Sequence, residues 1–259
     1  MTMTLYHGVP NGPSFTVLAA LFEKLVEPDL VAIDLAGGER HRVPASAATE
    51  VAMSIEGEGP VLVVDGQPMA DSVFIACYLD DIGAGPALRP EDPYARWEMM
   101  AWCRHVIERV APAAAFLGTR AHLADELAAM DAGAFDALVA PIVSVDLADR
   151  WTAVRERDFA DARVADSEAK IVQAADKVET RLEGRAWLMN EFSIADLETY
   201  AWLSGMRELV PGAFADKPHT AAWFARVAAR PAVARALALA AVAHPERVWA
   251  PGPEINRWG

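Results

Sequence analysis

The sequence predicts an α+β protein, in which a small domain of strands and helices precedes a larger domain made only of helices. Short apolar runs bounded by turn residues, which are typical of strands, occur in about the first 70 residues. After a stretch rich in Gly and Pro, the apolar residues recur at helical spacing. We therefore expect a first domain at residues 1–83, a linker at 84–93 and an all-helical domain at 94–259.

The composition indicates a folded, soluble protein. Hydrophobic residues make up 53% of the 259 residues and charged residues 23%, as in a globular chain. The net charge of −14 makes nucleic acids and anionic membranes poor partners for the surface as a whole. The first residues lack the segments of a signal peptide, and no apolar run reaches the roughly 18 residues that a membrane-spanning helix needs.

The two cysteines, Cys77 and Cys103, both lie within apolar helical patterns, and the chain has no CxxC motif. Two buried thiols without a disulfide framework indicate a reducing compartment and no structural metal site. We therefore expect a cytoplasmic protein.

The chain opens with a predicted strand, helix and strand. Residues 3–6 and 29–35 are the strands, and apolar residues at helical spacing follow Pro13. Ser14 stands at the start of that helix, where it can cap the first turn. A hydroxyl at the positive end of a helix dipole can also stabilise a bound thiolate, and one residue can serve both purposes.

A basic cluster interrupts the acidic first half of the chain. Residues 36–44 form a predicted polar loop that contains Arg40, His41 and Arg42. The cluster is either an ordinary solvated loop or an anchor for a carboxylate. The next residues, 45–53, have the composition of a short helix.

A hairpin and a helix are predicted after this loop. Gly59 and Pro60 open an apolar run, and Asp65-Gly66 is a strong signal for a tight hairpin turn. The predicted order is strand 60–64, turn 65–66, strand 67–69 and helix 71–82. Together with the first strand, helix and strand, this is the order of a thioredoxin-like domain.

Asp71 and Ser72 form an acid–hydroxyl pair at the start of the predicted helix. The pair can satisfy the unpaired N–H groups of the first helical turn. Alternatively, the same groups can receive a γ-glutamyl head, with its amine on Asp71 and its carboxylate on Ser72 and the Ser72 N–H.

The rest of the chain has a helical pattern. Ser193 and Asp196 have the spacing of a capping box, which starts a buried helix. The residues that share one face of the first long helix are Trp97, Met100, Ala101, Arg104, Ile107 and Val110. The other predicted segments are a helix at 119–130, a less regular stretch at 131–152, and helices at 153–183, 218–229 and 231–243.

Several stretches resemble the glutathione transferase superfamily, and the similarity covers nearly the whole chain. Within the superfamily, the chain is most similar to the bacterial β-etherases, which cleave β-aryl ethers derived from lignin. The stretches that carry the similarity are Ser14 with residues 21–24, residues 39–41, residues 88–93, Arg96 with Glu98, Met99 and Trp102, the region from Trp151, and residues 193–196. The resemblance implies a dimer that binds glutathione on its thioredoxin-like domain and a hydrophobic aromatic ether on its helical domain.

The resemblance implies roles for residues around the glutathione thiol. Pro60 matches a cis-proline, and the residue before it, Gly59, offers its backbone to the cysteinyl part of glutathione. Ser14 matches the position beside the thiol. Asn11, from the same loop, is an alternative donor to the thiol.

The two ends of glutathione have implied contacts as well. Asp71 and Ser72 match the acid–Ser pair that holds the γ-glutamyl group. Arg40 and His41 match a polar loop that reaches the glycyl end.

The resemblance implies glutathione-dependent ether cleavage without a metal or redox cofactor. The glutathione thiolate attacks the β-carbon of an α-keto β-aryl ether, a phenol such as guaiacol leaves, and a glutathione thioether forms. Aromatic and Met side chains of the helical domain can line the second pocket or simply pack in the core. These side chains are Trp102, Phe116, Met130, Trp151 and Trp202.

Two alternatives to ether cleavage stay open, and the first follows from a departure from the family pattern. Gly59 stands where the family usually has Val, which allows a wider range of backbone conformations before Pro60. The chain can therefore be a non-catalytic partner subunit of a heterodimer. A general glutathione-conjugating enzyme is the other alternative.

Overall fold

The computed structural model describes residues 1–34, 37–39, 60–142, 144–240 and 245. Within these residues, a small mixed sheet with two helices precedes a series of helices, which confirms the predicted α+β class. The predictions for Arg40, His41, Gly59 and the short helix at 45–53 lie outside the described residues.

Four strands form one mixed sheet in the order β2-β1-β3-β4. Strand β1 runs parallel to β2 and antiparallel to β3, which pairs antiparallel with β4. Helix α1, Gly12–Glu23, makes the crossover that the parallel pair requires. The strands are β1 Met3–His7, β2 Asp29–Ala32, β3 Val61–Val64 and β4 Gln67–Met69, so β2 is shorter than predicted.

The turn between β3 and β4 forms at the predicted Asp65-Gly66 pair. Both residues have left-handed backbone conformations, with φ of 47° and 79°. This conformation matches the twist of a two-residue hairpin and favours Asp followed by Gly. Thr2 N–H donates to the Asp65 carboxylate at 2.8 Å, which ties the hairpin to the start of the chain.

The named elements after β4 are helices, and none of those in the described part of the chain is long and apolar enough to cross a membrane. A π-helical turn, Val106–Val110, joins α3 to α4, and a 3-10 turn, Pro211–Phe214, follows α10. The helices are α2 Ser72–Ile82, α3 Pro93–His105, α4 Ala111–His122, α5 Ala124–Ala129, α6 Ala132–Val139, α7 Val145–Arg155, α8 Asp161–Arg181, α9 Ile194–Leu203, α10 Met206–Leu209, α11 Pro218–Ala228 and α12 Pro231–Leu237.

The prediction of an irregular stretch at 131–152 is wrong, because this stretch contains α6 and α7. Asp131 caps α6 by accepting from two backbone N–H groups, and the Ser144 hydroxyl caps α7. Polar residues that suggested a loop are therefore helix caps. The predicted helix from 153 begins only at Asp161, because Arg157 adopts a left-handed conformation with φ of 58° and interrupts the chain after α7.

Two apolar cores hold the helices. The main core includes α1, α2 and most of the helical domain, and Cys103 lies in it. Helices α5 to α7 enclose a smaller core around Trp151, which is fully buried. Cys103 is buried, as predicted. Cys77 is only half-buried, so the prediction of a buried thiol is wrong for this residue.

Helix α1 is the central element of the main core. It packs against α2, α9 and α12, and eleven of its twelve residues are buried. A helix that is apolar on nearly all sides is stable only when other elements surround it. The sheet domain and the helical domain supply these elements, so α1 belongs to the cores of both.

The C-terminal end of α1 holds the segment that leads into the helical domain. Lys24, which is almost fully buried, donates to the carbonyl groups of Gly85 and Pro86 at 2.7 and 2.9 Å. Its ammonium also lies 3.0 Å from the Asp80 carboxylate. Burial opposes the ionisation of Asp80, but hydrogen bonds, first from the Leu88 amide, outweigh it and lower its pKa.

Gly85 passes so close to α1 that it has no room for a side chain. A Cβ atom at this position would lie 1.8 Å from the Glu23 carbonyl oxygen. We expect Gly85→Ala to lower the free energy of unfolding by about 1–3 kcal/mol or more, because a backbone atom cannot move aside as a side chain can. Urea denaturation followed by circular dichroism measures the change.

Gly212→Ala is the matched control, since a Cβ atom there meets no atom within 4 Å. Equal stabilities of the two variants would contradict the close approach of residues 83–86 to α1.

Candidate functional site

The pairing of the strands brings three predicted site segments to one edge of the sheet. Tyr6 pairs with Val61, so the loop after β1 lies beside Pro60, which directly precedes β3. Leu62 pairs with Met69, so β4 ends at the same edge. The starts of α1 and α2 therefore flank buried Pro60. This edge is the candidate site.

Ser14 lies in the first turn of α1, as predicted, and is buried. Its hydroxyl oxygen accepts the backbone N–H of Gly8 at 2.9 Å. His7 Nδ1 lies 2.8 Å from the Gly8 carbonyl oxygen, which can only accept, so Nδ1 carries the proton. Burial lowers the pKa of His7, and its neutral ring binds the carbonyl group of Gly8, the residue whose N–H donates to Ser14. The Ser14 proton is thereby free to point toward a ligand.

Asn11 occupies the N-cap position of α1 in an extended conformation, but its side chain makes no cap hydrogen bond. Its Nδ2 donates to the Pro245 carbonyl oxygen at 3.3 Å. Asn11 and Ser14 therefore lie together at the helix start, as predicted. Because the Asn11 amide uses one of its two N–H groups on Pro245, we take Ser14 as the first candidate donor toward a thiolate.

Asp71 caps α2, which confirms the prediction that it satisfies N–H groups of the first helical turn. Its Oδ1 accepts the N–H groups of Val73 and Phe74 at 2.9 and 3.1 Å. Its backbone has a φ of 75°, which is unusual for a residue other than Gly. Such a conformation persists only where surrounding contacts enforce it, and it is common at ligand sites.

Ser72 makes a contact that the sequence did not predict. Its hydroxyl lies 3.1 Å from Oε2 of Glu198, a residue of α9 in the helical domain. Trp202 Nε1 donates to the other oxygen of Glu198 at 2.7 Å. The carboxyl of Glu198 is fully buried, and this burial raises its pKa to about 7, despite the hydrogen bonds from Trp202 and Ser72.

One feature of the sequence could have indicated Glu198. It stands within the apolar stretch of α9, whose ten residues are all buried. A carboxylate in such a stretch must be paired or protonated. The spacing along the helix does not reveal the partner, because Ser72 lies 126 residues earlier in the chain.

The predicted capping box at Ser193 and Asp196 is confirmed. Asp196 is fully buried and accepts from Ser193 N–H, Leu188 N–H and Trp223 Nε1 at 3.0, 3.1 and 2.8 Å. Burial raises the pKa of Asp196 to about 6, against these hydrogen bonds. Its contacts all lie within the helical domain, so its role is structural.

Three of the predicted pocket residues pack in the cores. Trp151 is fully buried in the smaller core, and Trp202 is nearly so in the main core. Trp102 Nε1 donates to the Thr199 hydroxyl at 2.9 Å. For these three residues the core-packing alternative holds.

Phe116 also packs in the main core, and it lines a small cavity between α4, α7 and α8. Phe159 lies edge-on to it, and the Arg163 guanidinium lies 4.5 Å from the centre of its ring. The cavity has a volume of about 50 Å³, which is too small for an aromatic ether. Met130 packs against the smaller core.

A larger groove lies between the start of α2 and the outer face of α3. It has a volume of about 650 Å³ and extends from Asp71 to Glu108. Phe74 and Trp97 line it and are 62% and 60% exposed. Tyr94, next to Trp97, is 71% exposed. These three aromatic side chains form an exposed apolar surface beside Asp71.

Comparison with known families agrees with this geometry. A model of the glutathione S-transferase N-terminal domain matches residues 1–81, and a model of the C-terminal domain matches residues 142–231. The chain belongs to the glutathione S-transferase family. The predicted superfamily is therefore confirmed, with its thioredoxin-like first domain and helical second domain.

Individual relatives include a β-etherase. The chain is 27% identical over 246 residues to Protein LigF of Sphingobium sp. strain SYK-6, a match that covers 90% of this chain and 92% of LigF. The crystal structure of the β-etherase LigF matches with a TM-score of 0.83 and 25% identity over 93% of this chain and 100% of that chain.

Other transferases share the fold at lower similarity. A glutathione S-transferase of Hyoscyamus muticus is 25% identical over 238 residues, which cover 89% of this chain and 96% of the relative. A family member from Pseudomonas fluorescens, crystallised with two glutathione molecules, has a TM-score of 0.65 and 20% identity over 91% of this chain and 92% of that chain. The family and this fold support the prediction of glutathione as the cosubstrate.

The buried carboxyls make the stability of the transferase depend on pH. The pKa of Glu198 rises from 4.5 in the unfolded chain to about 7 in the folded protein, so the folded state holds the proton more tightly. The contribution of Glu198 to the free energy of unfolding is fully present below about pH 4.5 and is lost as the pH rises through 7. The wild-type protein should therefore lose up to about 3 kcal/mol of its free energy of unfolding as the pH rises. Glu198→Gln should not show this decrease, because a Gln side chain cannot ionise. Urea denaturation between pH 5 and 8 measures it.

Glu168→Gln, at an exposed position on α8, is the control and should keep the wild-type pH profile. A wild-type stability that does not change over this range would contradict the burial of an ionisable Glu198.

Proposed function

We propose that this glutathione transferase cleaves β-aryl ether bonds of lignin-derived α-keto aromatics. The observation that carries the proposal is the hydroxyl of Ser14, which is held by the Gly8 N–H at the edge that Pro60 and the start of α2 share. The similarity to LigF over most of both chains supports the choice of reaction.

The proposed glutathione site uses the residues along this edge. Asp71 and Ser72 at the start of α2 hold the γ-glutamyl group, and Pro60 with the backbone of Gly59 binds the cysteinyl part. The sulfur then lies at the start of α1, beside the Ser14 hydroxyl. Arg40 and His41 remain the proposed contacts of the glycyl end.

The first step is ionisation of the thiol. A free thiol is mostly protonated at pH 7, whereas the thiolate is the nucleophile. The Ser14 hydroxyl accepts the Gly8 N–H, so its own proton stays available. The hydroxyl therefore donates a hydrogen bond to the sulfur. The positive end of the α1 dipole favours the same charge. Both effects lower the pKa of the bound thiol.

The thiolate then displaces the aryl group. Sulfur forms a bond to the β-carbon, which the adjacent ketone activates, and the bond from this carbon to the ether oxygen breaks. The electron pair of that bond leaves on the phenolate, which takes the proton that the thiol released. The products are a glutathione thioether and a phenol, and the oxidation states balance without a further cofactor.

The assay for this reaction uses glutathione with each enantiomer of an α-keto β-aryl ether. Chromatography detects the released phenol and the thioether. Release from at least one enantiomer is expected, and release from neither would overturn the etherase proposal.

A non-catalytic partner subunit of a heterodimer is the second candidate, and Gly59 before Pro60 motivates it. Such a subunit would bind glutathione weakly or not at all. Calorimetric titration with glutathione separates the candidates, because micromolar binding contradicts this second role. General conjugation of glutathione to electrophiles, a further alternative, would give thioethers without release of a phenol from the ether substrates.

We also propose a dimer that uses the exposed aromatic surface of Phe74, Tyr94 and Trp97. Exposed apolar surfaces of this kind are rare on monomers and mark association sites. The surface joins α2 of the first domain to α3 of the second, so a partner placed there contacts both domains.

Ser14→Ala tests the proposed thiolate donor. We expect turnover to fall about 10-fold or more, as happens when one donor to a developing anion is lost. Phenol release at saturating glutathione measures the effect. Ser144→Ala, which removes the distant cap of α7, is the matched control and should keep the rate. An unchanged rate for Ser14→Ala would assign the role to Asn11 or to backbone N–H groups.

Trp97→Glu tests the proposed dimer surface. A charge in the middle of an apolar interface should weaken association about 30-fold or more, since central aromatic residues dominate such interfaces. Sedimentation equilibrium gives the dissociation constant. Val145→Glu introduces the same charge at another exposed apolar position, on α7, and should leave the dimer intact. Equal effects of both variants would exclude this surface as the interface.

A further inference from the structure

Glu198 connects the helical domain to both ends of the candidate site. One carboxyl oxygen contacts Ser72 at the start of α2, at a distance of 3.1 Å. The other accepts from Trp202, whose ring lies 3.6 Å from the position that a Cβ atom of Gly12 would occupy. Gly12 stands at the start of α1, next to Asn11. A single buried carboxyl therefore supports both helix starts.

The two oxygens of Glu198 have different roles. The indole N–H of Trp202 can only donate, so Oε1 is an acceptor. A proton on the carboxyl is then best placed on Oε2, the oxygen that faces Ser72. The hydrogen bond between Oε2 and the Ser72 hydroxyl therefore has two directions, and the charge of Glu198 decides between them.

The direction of this hydrogen bond determines what Ser72 can offer to a ligand. When Glu198 is ionised, Ser72 must donate its proton to Oε2, and only its lone pairs face the site. When Glu198 is neutral, Oε2 donates to Ser72, and the Ser72 proton becomes available. A ligand carboxylate needs a donor, so it requires the second arrangement.

We propose that Glu198 is a positioning residue that takes up a proton when glutathione binds, so that the Ser72 hydroxyl can donate to the γ-glutamyl carboxylate. The inference rests on the proposed placement of the γ-glutamyl group at Asp71 and Ser72. It adds a pH-linked residue of the helical domain to a site that the first domain builds.

The surroundings of Glu198 favour its neutral form. Asp71 at the start of α2 adds a negative charge, and burial holds the Cys103 thiol of α3 neutral. Among the described residues, the Thr16 hydroxyl of α1, the indole of Trp202 and the Ser72 hydroxyl also face the carboxyl. Burial, with the charge of Asp71, outweighs the hydrogen bonds from Trp202 and Ser72 and raises the pKa of Glu198 to about 7, so the ionised and the neutral carboxyl are both populated near neutral pH.

Proton uptake can be measured directly on the wild-type protein. S-Methylglutathione keeps the γ-glutamyl group but has no ionisable thiol, so it is a suitable probe. Calorimetric titrations at pH 7 in two buffers with different heats of ionisation give the number of protons taken up. We expect uptake of a fraction of one proton, because part of Glu198 is ionised in the free protein near neutral pH. No uptake by the wild-type protein would overturn the proposal.

Glu198→Gln separates proton linkage from a purely structural role. A Gln amide can accept from Trp202 and donate to Ser72, so it imitates the neutral carboxyl permanently. The variant should bind S-methylglutathione without the linked proton. From pH 6.5 to 8.5, the wild-type affinity should fall about 10-fold or more relative to the variant. Identical pH profiles would contradict the role of Glu198.

Ser72→Ala distinguishes failure of this inference from failure of the proposed site. If Ser72 holds the γ-glutamyl carboxylate, the variant should bind the probe about 10-fold or more weakly. Unchanged affinity would remove the γ-glutamyl assignment itself. Weakened binding by Ser72→Ala, together with no proton uptake by the wild-type protein, would keep the site and overturn only the role of Glu198.

Discussion

The burial of α1 is the constraint on which the rest of the structure depends. Eleven of its twelve residues are buried, so neither domain can bury this helix alone. Its N-terminal end presents Ser14 to the candidate site, and its C-terminal end binds the segment that leads into the helical domain. Glu23, which is also at the C-terminal end, forms a bidentate ion pair with Arg230, the residue just before α12, with distances of 2.6 and 2.8 Å. The packing that joins the domains therefore also fixes the site.

A second contact between the domains has a different physical character. The hydrogen bond of Ser72 to Glu198 places an ionisable group where burial is costly, whereas the contacts of α1 are mainly apolar. A neutral Gln at this position would be more stable at alkaline pH. A costly carboxyl next to a proposed ligand group is therefore better explained by binding than by folding. Asp196, buried within the helical domain alone, is explained by the helix that it caps.

Local signals in the sequence predicted those elements whose stability is local. The Asp65-Gly66 hairpin and the Ser193–Asp196 capping box form as expected, because neighbouring residues alone satisfy their backbone groups. Helices α6 and α7 were missed, since they are short and their caps resemble loop residues. Their stability depends on the smaller core, which brings together residues from 123 to 154. The spacing of apolar residues within one helix does not reveal which other helices it packs against.

The sequence by itself determined the order of the strands and helices in the first domain, the family, and the candidate residues Asn11, Ser14, Asp71 and Ser72, which the folded chain places at helix starts. The tertiary structure decided what these residues contact. It directed the Gly8 N–H to Ser14, turned the Asn11 amide toward Pro245, and placed Glu198 against Ser72 across 126 residues of sequence. A hydrogen bond requires atoms within about 3 Å, and only the packing of two domains around α1 brings such distant residues together.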